Sequence, residues 1–243
     1  LIKKAVKENK IDLVITPTPV NLGDLNKTVK VTQYVLDIMP IEMSETGIEN
    51  EVPLVFAHNL NPVLKNSELI LTISKDTERK VLSINPSIKT FVTYCTTSYY
   101  SEEVTQAQKD EVLNKFAVKS KRYFIFISAL DKRKNLNSMI RAYAEAYKKI
   151  KAKFLIIGSE GYDFNETKSL SMNFPQDINK NIIFAGHVSE AEKRVLLENS
   201  LFLIFTTLYE GAGIPIIEAY REGVPIIASN IGAIPEYAGS GAI

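Results

Sequence analysis

Strand-length apolar runs alternate with helical stretches along the whole chain. The runs are IDLVIT (11–16), VKVTQYVL (29–36), ELILTIS (68–74) and IKTFVTY (88–94). After a gap come YFIFIS (123–128), KFLIIG (153–158), NIIFAG (181–186), LFLIF (201–205) and VPIIAS (224–229). Most are unbroken β-branched or aromatic runs, not apolar residues alternating with polar ones. Strands buried on both faces read this way, as in a parallel sheet covered by helices. The intervening segments carry helical periodicity. Leu136, Met139, Ile140, Tyr143 and Tyr147 share one helix face, with Asn135 placed as N-cap. The alternation predicts an α/β fold with parallel sheets.

The rhythm breaks between Thr96 and Arg122, where TTSYYSEEV gives way to a polar, charged stretch ending KSKR. This reads as a loop and short helix joining two sheets. The predicted organisation is a first domain over 1–105, a linker over 106–120 and a second domain over 121–243. A single sheet with a long surface insertion is the alternative. No short-period repeat or low-complexity tract is present. The chain opens at Leu1, LIKKAVKENK reads as the end of an amphipathic helix, and SGAI stops soon after a helix pattern. Both ends read as cut from a longer chain.

With 243 residues, 45% of them hydrophobic, and a formal net charge of +1, the chain gives no electrostatic basis for nucleic-acid binding. Net charge averages local patches away, so peripheral contact with a membrane surface stays open. No apolar run reaches the ~20 residues of a membrane helix. The single cysteine, Cys95, forms no intrachain disulfide and fits a reducing compartment such as the cytoplasm. His58, His187 and Cys95 are too few for a His/Cys metal site, so none is expected. The chain lacks a Gly-x-Ser-x-Gly elbow, a Walker A lysine and the Gly-x-Gly-x-x-Gly fingerprint.

The most informative segment is EGAGIPIIE (210–218), directly after the strand LFLIF and the turn TTLY. Gly211 and Gly213 let backbone approach a ligand closely. Pro215 suits the first turn of a helix starting near Ile214, whose unpaired N–H groups and dipole favour a phosphate. Glu218 lies about one turn in, within reach of a ribose diol. Glu210 sits on the loop rim, where a sugar attached to the phosphate would lie. The bland alternative is a glycine-rich β–α turn with two solvated glutamates.

SALDKRKN (128–135) joins the strand YFIFIS to the next helix. Ligands of open α/β sheets bind beyond the carboxyl ends of strands, so Arg133 and Lys134 stand at the same edge as Glu210. Two cations there would hold a diphosphate and stabilise it as a leaving group. A solvated turn is the alternative. GSEG (158–161) and Gly186-His187-Val188 follow strands at this edge, and His187 is placed toward a base. Pro235 and Glu236 open a further helix after the last strand.

Together these segments resemble the C-terminal half of the family 4, or group 1, retaining glycosyltransferases of the GT-B fold. The likeness runs in order through IFISALDKRKNL, FLIIG, NIIFAGHVSEAE, LFLIFTTLYEGAGIPIIEAYREGVPIIAS and GAIPEYAG. It continues more weakly N-terminally through IDLVITPTP, VKVTQYVLDIMP and SELILTISKDTERKVL. Relative to that family, the start of the first domain and the C-terminal tail are missing.

The resemblance implies two Rossmann-like domains and transfer of a hexose from a nucleotide-diphosphate sugar to a glycan or lipid-linked acceptor. The anomeric configuration is retained, and neither cofactor nor metal is expected. Surface polysaccharide or glycan assembly is the implied setting, at the cytoplasmic face of the membrane. By resemblance Lys134 binds the donor phosphates with Arg133 beside it. Glu210 meets the sugar and Glu218 the ribose, while the backbone of Gly211, Ala212, Gly213 and Ile214 contacts phosphate and sugar. His187 and Val188 line the nucleotide side.

Two departures stand out. Ser128 and Ala129 occupy a region where many members carry an arginine, and Leu36 precedes Asp37 where many carry a histidine. The second departure keeps a non-catalytic, partner- or sugar-binding subunit open as an alternative. An epimerase or sugar phosphorylase on the same fold is a further one.

Overall fold

The computed structural model describes residues 2–45, 53–97, 104–161 and 164–243, with the helical residues 43–45 and 53–59 described by backbone alone. Residues 98–103 of the predicted interdomain loop, and the His58 side chain, lie outside the described residues. By contacts the chain divides into two compact units: Leu1–Cys95 with Glu210–Ala212, and Thr96–Tyr209 with Gly213–Ile243.

The first unit runs α1 (Ile2–Glu8), β1 (Leu13–Thr16), β2 (Lys30–Val35), α2 (Met39–Glu45), α3 (Pro53–Asn66), β3 (Leu69–Thr72), α4 (Lys75–Ile84) and β4 (Thr90–Val92). Its four strands pair in the order β1-β2-β3-β4, all parallel. Val35 and Ile70 pack on one face against Leu60, Val63 and Leu64 of α3 and Val81 of α4. Gln33 is buried on that face and fully engaged. Its amide donates to the Ser67 hydroxyl, and its carbonyl accepts from Val20 N and the Thr16 hydroxyl. On the opposite face Leu13, Ile15 and Phe91 are exposed. Burial on both faces, read from the apolar runs, therefore does not extend to these outer positions.

The second unit runs α5 (Gln106–Lys115), β5 (Tyr123–Ile127), α6 (Leu136–Ile150), β6 (Lys153–Ile157), α7 (Phe164–Met172), α8 (Gln176–Asn179) and β7 (Ile182–Gly186). It continues with α9 (Glu190–Glu198), β8 (Leu203–Phe205), α10 (Ile214–Arg221), β9 (Ile226–Ala228) and α11 (Ile234–Ala238). The parallel sheet has the order β7-β6-β5-β8-β9. Here alternate residues of each strand serve two cores. Tyr123, Ile125 and Ile127 face Leu196, Leu197, Ile216 and Ala219. Phe124 and Phe126 face Leu136, Met139, Ile140 and Tyr143 of α6. Covering both faces is what makes the strands read as continuous apolar runs.

Residues 106–120, read as a linker, contain α5, which belongs to the second unit. Thr105 and Gln108 form a capping box at its start. Leu113 enters the core beside Leu196 and Leu197. Lys109 and Lys115 reach Glu198 and Glu192 of α9, each at 2.6 Å. Charges dominate this segment, so its single apolar face, Val112, Leu113 and Phe116, is easily read as linker. Among the described residues no helix is long and apolar enough to cross a membrane.

Candidate functional site

In the second unit the strand order reverses between β5 and β8. From β5 the chain proceeds outward through β6 and β7, then returns to build β8 and β9 on the other side. Open α/β sheets bind ligands in the crevice beyond the strand ends at such a switch point. The chain leaves β5 through 128–135 and leaves β8 through Thr206–Tyr209 into 210–218, so the two segments singled out from the sequence follow these two strands.

Direct hydrogen bonds lock these segments together. The Arg133 carbonyl accepts from Leu208 N at 2.6 Å and from the Thr207 hydroxyl at 2.8 Å. The Asn135 amide donates to the Thr206 carbonyl at 3.1 Å. Asn135 adopts a left-handed conformation and makes no side-chain cap to α6, contrary to its expected role. Its amide is spent on the neighbouring loop instead. Thr207 is buried and joins three segments. Its hydroxyl also meets the Tyr209 carbonyl, and its own carbonyl accepts from the Ser229 hydroxyl. Sequence reading missed this role, because a threonine in a turn carries no motif of its own.

Lys134 closes a short turn of 3-10 helix and is only 5% exposed. Its ammonium lies 5.5 Å from the centre of the Phe205 ring at the end of β8. That contact places the cation at the switch point. Arg133 lies beside it, with Nε 3.4 Å from Asp131. Across the same edge, a Cβ on Gly158 would fall 1.7 Å from the Ser128 carbonyl oxygen. Only glycine allows these two loops to touch, and the backbone bond Leu130 N to Ser159 O continues the contact.

α10 starts at Ile214, as read from Pro215, with Gly213 at its N-cap and φ of 97°. That conformation favours glycine, and it turns the chain from the loop into the helix. Gly213 itself offers no side chain to cap this end. Glu218 lies in the second turn and is 5% exposed. Its Oε1 accepts from Lys193 of α9 at 2.7 Å, a partner the sequence reading did not anticipate. His187 is exposed and Val188 is buried at the turn from β7 into α9. Glu210, Gly211 and Ala212 group with the first unit. In that unit Leu36 is exposed and its carbonyl accepts from the Thr77 hydroxyl, while the Asp37 carboxylate accepts from Met39 N. No cluster of three or more metal-ligating side chains occurs among the described residues.

The family model for "Glycosyl transferases group 1" matches residues 108–242. The O-antigen chain mannosyltransferase B of Escherichia coli is 26% identical over 186 residues, covering 74% of this chain and 48% of that protein. The chain thus spans about half the length of this relative, and 35% of the Kluyveromyces lactis alpha-1,3/1,6-mannosyltransferase ALG2, to which it is 24% identical over 62% of its own length. Among solved structures, a glycosyltransferase from Rickettsia africae superposes with a TM-score of 0.74 at 21% identity. It is matched over 97% of this chain and 62% of its own. HepE of Anabaena, solved in complex with UDP-glucose, gives a TM-score of 0.75 at 16% identity, over 97% and 64% of the two chains. At these identities the structures establish the fold.

Proposed function

Since the chain belongs to the group 1 glycosyl transferases, we propose that it moves a hexose from a nucleoside-diphosphate sugar to a glycan or lipid-linked acceptor. The transfer retains the anomeric configuration and uses no metal or cofactor. The observation that carries this reading is the coincidence of three features at one switch point. These are a nearly buried lysine, a helix start with a glycine at its N-cap, and a buried glutamate in the next turn. Lys134, Arg133 and the amides from Gly211 to Ile214 are suited to a diphosphate. They lower the barrier by stabilising negative charge as the bond from sugar to phosphate breaks. Glu218 accepts from the ribose, His187 and Val188 border the base, and Glu210 serves the sugar. The relatives' names make a mannosyl donor the first to assay and surface polysaccharide the first acceptor class. We place the reaction at the cytoplasmic face of the membrane, with peripheral contact to its lipid-linked acceptor.

The test is sugar transfer or donor hydrolysis with UDP-, GDP- and ADP-sugars, combined with two variants. Glu218→Gln should weaken binding of the free nucleoside diphosphate. Glu210→Gln should leave that binding nearly unchanged and lower turnover. Equal losses of nucleotide affinity would remove the division of labour. No binding and no turnover by the unmodified protein would remove the reading itself. A second reading, a non-catalytic binding subunit, rests on Leu36, which is 42% exposed where the resemblance expects an imidazole. Nucleotide binding without transfer or hydrolysis would favour it.

A further inference from the structure

α9 and α10 are joined side by side by charge as well as by apolar packing. Leu196 and Leu197 share a core with Ile216 and Ala219. Consecutive residues of α9 meet two glutamates four residues apart: Lys193 lies 2.7 Å from Glu218 and Arg194 3.5 Å from Glu222. Lys193 also holds Glu190 at 2.8 Å. Both members of the central pair are withdrawn from water, with side-chain exposures of 16% for Lys193 and 7% for Glu218. Burial acts to depress the Lys193 ammonium, but its hydrogen bonds to Glu190 and Glu218 prevail and hold its pKa above the ordinary lysine value.

A charge-assisted hydrogen bond between two groups withdrawn from water fixes the orientation of the carboxylate, and a fixed carboxylate is a good acceptor for hydroxyl groups. Lys193 holds Glu218 through Oε1 at 2.7 Å. We propose that Lys193 is a positioning residue for nucleotide recognition, fixing the Glu218 carboxylate through Oε1 so that it is presented to the ribose diol of a nucleoside diphosphate. This rests on the ribose role given to Glu218 above. It adds a requirement that the EGAGIPIIE segment (210–218) alone does not contain, supplied from a different helix. Since α9 begins just after His187 and Val188, the same short helix ties the base side of the site to its ribose side.

The experiment is calorimetric titration of UDP, GDP and ADP, and of their 2′,3′-dideoxy counterparts, into the purified protein. The unmodified protein, Lys193→Met, Lys193→Gln and Lys193→Arg are compared. The readout is the ratio of ribo to dideoxy affinity, which a general loss of stability does not move. The unmodified protein should prefer the ribonucleotide roughly tenfold or more. Lys193→Met should bring the ratio close to one while leaving dideoxy affinity nearly unchanged, and Lys193→Arg should restore most of it. Lys193→Gln keeps a donor but not the charge, and should also lose ribose preference even if the methionine variant fails to fold. A wild-type ratio in the methionine or glutamine variant overturns the proposal and leaves the donor reading standing. So does an absence of ribose preference in the unmodified protein. Failure of all three ribonucleotides to bind overturns both.

Discussion

Lys134 shows how much one residue's surroundings add to its chemistry. In the sequence it is one of three cations in a turn, and turns commonly carry solvated lysines. In the structure it is nearly buried, with its ammonium over the Phe205 ring. Burying a lysine stem to bring its charge to a strand end is costly for a surface turn and sensible for a site that meets an anion. Lys134→Met keeps most of the stem and removes the charge. It should weaken nucleoside-diphosphate binding by about 1.5–3 kcal/mol, roughly 10- to 150-fold, with a melting temperature close to that of the parent. Calorimetry and a thermal melt on the same preparation measure the two quantities. Unchanged affinity with a lowered melting temperature would make Lys134 a packing residue of the turn.

At the scale of elements, α9 depends on its first turn. Ser189 accepts from Glu192 N, and Glu192 accepts from Ser189 N at 2.9 Å while pairing with Lys115 of α5 at 2.6 Å. The Lys115 hydrogen bond, then that from the Ser189 backbone, lowers the Glu192 pKa. A carboxylate with a lowered folded-state pKa contributes stability above its unfolded value, and loses it as pH falls through the folded one. Glu192→Ala should therefore cost about 0.5–2 kcal/mol near neutral pH, the usual worth of a cap. The deficit should shrink on acidification below the ordinary carboxylate range. Melts of both proteins across that range decide it, and a deficit independent of pH would show that only packing was lost. These same elements show what the sequence makes legible. The strands of the second unit were readable because covered parallel strands must be apolar throughout, and α10 because Pro215 comes two residues after Gly213. The short helix of the linker was expected, but its membership of the second unit was hidden, because α5 meets α9 through charged pairs that look like solvated surface. The Lys193–Glu218 pair was hidden because it joins helices separated in sequence by a whole strand. The Asn135 cap failed because the side chain found the Thr206 carbonyl, a partner that local sequence does not reveal.

For the whole molecule, the two units need not answer a ligand alike. The second unit has a sheet covered on both faces. Outer strands of the first unit leave Leu13, Ile15 and Phe91 exposed. A nucleoside diphosphate that binds only the folded state, with most of its proposed contacts in the second unit, adds stability by mass action, about 2.7 kcal/mol at a hundred times the dissociation constant. For a unit of this size, each kcal/mol raises the melting temperature by roughly 2–4 °C, so saturation should give a shift of about 5–10 °C. Amide hydrogen exchange locates that gain. Protection should rise in the loops at 128–135 and 206–213 and in the first turns of α9 and α10. It should change little in β1 and β4, which contribute none of the proposed nucleotide contacts. UDP, GDP and ADP each serve as probe, and the one giving the largest shift identifies the base. A shift accompanied by protection confined to the first unit would place the nucleotide elsewhere. It would also separate the glycine-rich turn from the function assigned to it.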